Sequence, residues 1–194
     1  MSSARVALAD ILIVDDTPNN LRLLSLMLTE HGYKVRKALN GSWALQAVQM
    51  VTPDLIVLDI RMPDLDGYEV CRQLKANDKT SDIPVIFISA LDDAMDKVLA
   101  FEVGGVDYIT KPFQEREVLA RVSNHLKIQK LQQQLKTQNW QLQAEIRERE
   151  KAESGLRVFL HAVSHDLRNP VTGMLMVLKN LLDRALPTGD PKKL

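Results

Sequence analysis

Five polar residues far apart in the chain, Asp15, Asp16, Asp59, Ser89 and Lys111, each stand where an apolar run ends. The runs are 11–14, 55–58, 85–88 and the weaker 108–109, short and rich in Ile, Val, Leu and Phe, as buried strands are. Three carboxylates brought together repel one another unless a hard cation lies among them. Mg²⁺, which takes carboxylate oxygens, water and phosphate, suits such a set. A lysine and a hydroxyl on the same rim could hold an anion beside the cation. One carboxylate could then act as the nucleophile toward phosphorus, as in aspartyl-phosphate enzymes. Asp59, directly after the run 55–58, is the candidate. The competing reading of the acidic pair is a helix cap, with Asp16 or Thr17 closing the N-terminus of a helix that opens at Pro18.

The order of elements is what would gather these residues. Strand and helix signals alternate five times before residue 121. A strand at 11–14 precedes a helix from Pro18 with apolar Leu21, Leu24, Met27 and Leu28, stopping near Gly32. A strand at 34–38 precedes a helix over 43–50, and strand 55–58 leads through a Pro63/Gly67 loop to a helix over 68–76. Strand 85–88 is followed by a helix over 93–102 closed by Gly104 and Gly105, and strand 107–109 leads into a helix after Pro112. Strict alternation predicts a parallel sheet with helices on both faces. In such a sheet, ligands bind at the carboxyl ends of the strands, beside a topological switch point.

After residue 114 the pattern changes. From 115 to 169 there is no proline and one glycine, Gly155, so a single helix can run through. At heptad spacing, Ile128, Leu135, Leu142, Leu156 and Val163 form one apolar seam, with Arg149 as the miss. The second seam is patchier: Leu131, Ala152 and Phe159 are apolar, whereas Gln138, Glu145 and Asp166 are not. This predicts a dimeric coiled coil, a parallel homodimer. An unbroken helix from Gln114 to His165 would separate its ends by roughly 75 Å, at ~1.5 Å per residue.

Composition bounds the function. With 194 residues and 45% hydrophobic content, a packed core is available to the first part of the chain. No stretch reaches the ~18 apolar residues of a membrane span, and the first five residues lack a signal-peptide core. The single cysteine, Cys71, allows no intrachain disulfide, and the cytoplasm is the expected compartment. The zero net charge conceals an acidic front (12 Lys/Arg against 18 Asp/Glu over 1–120) and a basic extension (eight against four over 121–157). The extension interleaves i,i+4 pairs such as Glu145–Arg149 and has no aromatic-basic clusters, so a nucleic-acid partner is not expected.

Asp15-Asp16, Asp59-Ile-Arg-Met-Pro63 with Asp66-Gly67, Ser89-Ala90 and Tyr108-Ile-Thr-Lys-Pro-Phe113 together resemble a response-regulator receiver domain over 8–120. The resemblance implies a flavodoxin-like five-stranded parallel sheet of order 2-1-3-4-5. It implies that Asp59 takes the phosphoryl group and that Asp15, Asp16, Asp59 and the Arg61 backbone carbonyl hold Mg²⁺. Lys111 would pair with phosphate, and Ser89 with Tyr108 would form the switch. A haloacid-dehalogenase-like phosphatase would need an aspartate two residues after the nucleophile, where this chain has Arg61.

A second dense signal, Phe159-Leu-His-Ala-Val-Ser-His-Asp-Leu-Arg-Asn-Pro170, resembles the phosphoacceptor box of a histidine kinase dimerisation domain. The resemblance makes His165 the acceptor, Asp166 its base and Pro170 a helix bend. A zinc pair at His161 and His165 competes, although the Glu of the His-Glu-x-x-His pattern is replaced by Ala162. No segment resembles an ATP-binding domain, and the second helix of the dimerisation hairpin is not found after Asp190-Pro191. The reading is a receiver (1–120), a coiled-coil signalling helix (121–157) and the first helix of a dimerisation domain (158–194), the front of a receiver-first hybrid histidine kinase. A cognate histidine kinase or ATP-binding domain is the expected partner. The alternative is a stand-alone response regulator whose coiled coil is a non-catalytic interaction output.

Overall fold

The apolar run near the N-terminus becomes strand β1 (Asp10–Val14), in which Ile11 to Val14 are all fully buried. A strand buried on both faces needs helices on both sides of its sheet. The computed structural model describes residues 7–89 and 94–185, apart from the side chains at 94–97, 167 and 183–185. After β1 come α1 (Pro18–Glu30), β2 (Lys34–Ala38), α2 (Gly41–Met50), β3 (Leu55–Asp59) and α3 (Gly67–Lys75). Then follow β4 (Val85–Ser89), α4 (Ala94–Glu102), β5 (Asp107–Thr110) and α5 (Glu115–Ala185). All pairings are parallel and the order is β2-β1-β3-β4-β5, the flavodoxin-like order expected.

Alternate strand residues divide between two apolar layers, as the two-residue period requires. Leu12, Val14, Ile56, Leu58, Val85 and Phe87 meet Ala44 and Val48 of α2 and Val70, Cys71 and Leu74 of α3. Ile11, Ile13, Leu55, Val57, Ile86 and Ile88 meet Leu21, Leu24 and Leu28 of α1 and Val118 and Val122 of α5. Each such side chain contributes about 1.5–3 kcal/mol on burial. The helix α1 therefore buries the 21/24/28 stripe read in the sequence, with Met27 packed at its margin.

Helix ends follow local chemistry. The helix α2 opens at Gly41, ahead of the expected 43, because the Asn40 side chain accepts the Trp43 N–H at 2.8 Å. Gly104, at φ 95°, turns the chain out of α4 in a conformation that side-chain-bearing residues avoid. The competing reading of the acidic pair, a side-chain cap on α1 from Asp16 or Thr17, is not what the structure has. Thr17 is the N-cap residue but makes no side-chain cap bond, and Asp16 Oδ1 only accepts from the Thr17 hydroxyl at 3.2 Å. Asp15 takes the Thr17 N–H at 2.8 Å instead, an Asx-turn in which an aspartate bonds the amide two residues on. Position 93, expected as a helix start, Ala90 and the segment around Asp190-Pro191 lie outside the described residues.

The chain divides into two compact units, Met1–Leu135 and Lys136–Leu194. In the first, α5 is a core element through Val118 and Val122. In the second, α5 continues through Gly155 and Pro170, and Leu142, Ile146, Leu156, Phe159 and Leu160 are each more than half exposed. Among the described residues, no helix is long and apolar enough to cross a membrane.

Candidate functional site

Asp59 and Ser89 are the last residues of β3 and β4, Asp15 and Asp16 directly follow β1, and Lys111 follows β5. Parallel register keeps them on one rim: Asp59 lies beside Ile88, Ser89 beside Thr110, and the Lys111 N–H donates to the Ser89 carbonyl at 2.9 Å. The Lys111 ammonium reaches back across the rim to Asp59 Oδ2 at 2.8 Å and Asp15 Oδ2 at 3.1 Å. Carboxylate oxygens of Asp15, Asp16 and Asp59 all lie within 4.8 Å of one another. Asp15 and Asp59 are buried, whereas Asp16 faces solvent.

Two buried carboxylates share one ammonium, and the electrostatics follow from that ratio. Burial pushes the Asp59 carboxyl above its ordinary range; Lys111 opposes this and the neighbouring Asp15 charge adds to it. Burial works against the Lys111 charge, but Asp59 and Asp15 outweigh it and hold the ammonium more firmly protonated than usual. Ser89 Oγ is buried and has no hydrogen-bond partner. An orphaned buried hydroxyl costs about 1–3 kcal/mol, so it marks a place where a further acceptor belongs. It lines a cleft of about 180 Å³ together with Asp16, Thr17, Asp59, Arg61 and Lys111.

The loop from β3 to α3 is shaped by residues that bear on Asp59. The Gly67 N–H donates to the Ile60 carbonyl at 2.9 Å, and a β-carbon at Gly67 would run into the Asp59 carbonyl oxygen. Asp66 caps α3 by accepting the Glu69 N–H at 2.7 Å. Asp64 ties the same loop to α2, its two oxygens accepting the Gly41 and Ser42 N–H groups at 3.3 Å each. Sequence reading missed Asp64, and it also missed Asn20, whose side-chain amide donates to both oxygens of Asp15. The available signal for Asn20 was its place in the first turn after Pro18, on the helix that starts beside Asp15.

The donor set fits Mg²⁺. It consists of hard carboxylate oxygens, one of them open to water through Asp16, beside a buried hydroxyl without an acceptor. Among the described residues it is the one cluster of His, Cys, Asp or Glu able to hold an ion, so the zinc pair at His161 and His165 has no third ligand there.

Tyr108, half-buried on β5, meets Phe101 edge-on at 6.2 Å between ring centres and lies under the Arg121 guanidinium at 5.5 Å. Arg121 is itself bonded to Asp107 at 2.6 Å and Glu117 at 2.9 Å, and His125 meets Asp107 at 3.1 Å. The expected switch aromatic is thus stacked against α5.

A sequence profile of the response regulator receiver domain family matches residues 11–123. The chain belongs to that family. It carries the receiver domain of a two-component system. It is 44% identical over 114 residues to the response regulator PleD of Caulobacter vibrioides, covering 59% of this chain and 25% of that protein. It is 36% identical over 176 residues to a Vibrio cholerae protein described as a "probable cyclic di-GMP phosphodiesterase", covering 89% of this chain and 40% of that one. The chain thus spans less than half the length of these curated relatives. The signal receiver domain of a signal transduction histidine kinase from Syntrophus aciditrophicus is 38% identical, with a TM-score of 0.58 over 61% of this chain and 90% of that one.

Beyond the receiver, α5 carries the second predicted acceptor. His165 Nδ1 lies 3.5 Å from Asp166 Oδ1, and both side chains are well exposed, at 67% and 83%. The other two histidines without a motif have structural partners: His125 pairs with Asp107, and His31 Nδ1 sits 2.9 Å from the Met27 carbonyl oxygen.

Proposed function

We propose that this chain accepts a phosphoryl group on Asp59 and passes the resulting state along α5. The observation that carries the reading is Lys111 Nζ, 2.8 Å from Asp59 and 3.1 Å from Asp15, beside the partnerless hydroxyl of Ser89. A cation and a free hydrogen-bond donor flank a carboxylate nucleophile.

In the reaction, a carboxylate oxygen of Asp59 attacks phosphorus in a phosphohistidine of a cognate kinase or in a small acyl phosphate. The new P–O bond forms as the bond to the leaving imidazole or carboxylate breaks, and the leaving group keeps the electron pair. Lys111 pairs with a phosphoryl oxygen, and the Ser89 hydroxyl donates to another. Mg²⁺ bound by Asp15, Asp16, Asp59 and the Arg61 backbone carbonyl would supply neutralisation of the phosphoryl charge. Once Ser89 is drawn toward phosphate, the Tyr108 ring turns inward and its stacking under Arg121 changes, which carries the state to α5.

In this reading the receiver (1–120) feeds a coiled-coil helix (121–157) and the first helix of a dimerisation domain (158–194), with the exposed 128/135/142/156/163 seam buried in a homodimer. His165, assisted by Asp166, is the second acceptor, served by an ATP-binding domain. Likeness to the receiver of a histidine kinase, over 61% of this chain, supports the receiver part of this arrangement, and the 159–170 box with His165 beside Asp166 supports the rest. The second reading, a stand-alone response regulator with an interaction output, is favoured by a different observation. A 176-residue match to the Vibrio cholerae protein extends beyond the receiver into α5, so the helix is not peculiar to kinases.

The test is mass spectrometry after incubation with acetyl phosphate. Labelling should fall on Asp59, require Mg²⁺, and vanish in Asp59→Asn. Labelling that survives chelation or persists in Asp59→Asn overturns the assignment. With ATP alone the chain should take no label, and a separately supplied kinase ATP-binding domain should label His165 under the first reading only.

A further inference from the structure

Asn20 stands on α1, outside the set of acidic, basic and hydroxyl groups that make up the site. Its side-chain nitrogen is 3.1 Å from Asp15 Oδ1 and 2.9 Å from Asp15 Oδ2, so one amide spans the whole carboxylate. The orientation of this amide is dictated by chemistry, because its oxygen turned toward Asp15 would face two acceptors. Asp15 is fully buried and accepts from two further donors, the Thr17 N–H at 2.8 Å on Oδ1 and Lys111 Nζ at 3.1 Å on Oδ2. Lys111 is the one donor of the three that Asp59 also uses.

We infer that Asn20 is a positioning residue that sets metal affinity at this rim. It has two effects. By spanning both oxygens it fixes the rotation of the Asp15 carboxylate, so that one of its oxygens is held within the carboxylate cluster before any cation arrives. By satisfying Asp15 from the helix side it spares Lys111, which otherwise would be the principal counter-charge of a buried carboxylate and would be drawn from Asp59. Partners that orient a ligating carboxylate in this way typically govern about 10–100-fold in metal affinity. The inference rests on the proposed Mg²⁺-dependent reading of the rim and adds a residue to it.

The experiment uses the full chain and Mg²⁺ itself. Asn20→Leu keeps the side chain's size and removes its donor, and Asn19→Leu, the adjacent exposed asparagine, is the control. Titration calorimetry with MgCl₂ should show Asn20→Leu binding about 10-fold more weakly than wild type, while Asn19→Leu stays within about twofold. In acetyl phosphate labelling, the half-saturating Mg²⁺ concentration should rise by the same factor and the rate at saturating Mg²⁺ should be retained. A general folding defect would lower that plateau instead, and a lowered plateau with unchanged Mg²⁺ affinity overturns the inference. If Asn20→Leu does not fold, Asn20→Ser, a single donor on a shorter arm, decides: threefold or greater weakening supports the assignment and wild-type affinity overturns it. Wild-type chain that takes up no Mg²⁺ at millimolar concentration defeats the underlying reading together with this one. Normal wild-type binding with an unchanged Asn20→Leu defeats this one alone.

Discussion

Gly67 and Asp59 are in backbone contact across the β3–α3 loop: a β-carbon on Gly67 would overlap the Asp59 carbonyl oxygen and come within 3.0 Å of Ile60 Cα. The contact is with main chain, which cannot rotate away as a side chain would. Gly67→Ala should therefore push the backbone of the phosphoacceptor and destabilise the fold by about 1–3 kcal/mol, the usual range for overpacking. Urea denaturation checks the stability, and acetyl phosphate labelling should be slowed at the same time. Wild-type stability in Gly67→Ala would show that the loop yields freely.

Asp107 predicts a pH dependence. Burial works against its charge, but Arg121, the Tyr108 N–H and His125 together hold its carboxyl below the ordinary 3.8. A carboxyl lowered in the folded state stabilises the fold above its unfolded value and loses that contribution as pH falls through it toward the folded value. Asp107→Asn should thus cost about 1.5–3 kcal/mol at pH 7, the range for bonds to a charged group. The gap to wild type should begin to narrow only below pH 3.8 and close further as pH falls toward the folded value, as measured by urea denaturation at pH 7 and at several pH values below 3.8. A gap independent of pH would mean that packing, and not charge, holds β5 to α5.

Cys71 is buried, its Sγ donates to the Val103 carbonyl at 3.4 Å, and burial pushes the thiol up to about 11. At pH 8 the reactive thiolate is therefore scarce as well as inaccessible. A thiol-reactive dye should leave the native chain unlabelled for hours and label it stoichiometrically in 6 M guanidinium, read by absorbance. Rapid native labelling would show that α3 opens readily.

The exposed Leu142 and Leu156, at 56% and 58%, call for a partner if the seam is real. Light scattering on the full chain at micromolar concentration should give a dimer, and the double variant Leu142→Asp/Leu156→Asp should give a monomer with Asp59 labelling retained. A monomeric wild-type chain would refute the coiled coil.

Much of the site was legible because topology does the gathering. Asp15, Asp59, Ser89 and Lys111 could be assigned to one rim once their runs were read as parallel strands, since every such strand ends at the same edge. What was not legible depends on contacts between elements. Asn20 reaching back to Asp15, and Asp64 reaching across to α2, leave no trace in periodicity or composition. The turn ahead of α1 is of the same kind: Asp15, Asp16 and Thr17 all have side chains that could bond there, and only the folded geometry gives the Thr17 N–H to Asp15. The Tyr108–Arg121 stack likewise needs β5 and α5 side by side before it exists.

The clasp between Asp64 and the N-terminus of α2 has a consequence for anyone recombining this domain with others. Gly41 must stay small, since a β-carbon there would meet Val70 and the backbone of Leu65, and its N–H must stay free to reach Asp64. The segment 59–67 therefore cannot be exchanged as a cassette. The unit that can be grafted is discontinuous in the chain, 40–42 together with 59–67, and a chimera that joins them from different parents should fail at the loop even when every residue of the phosphoryl cleft is preserved.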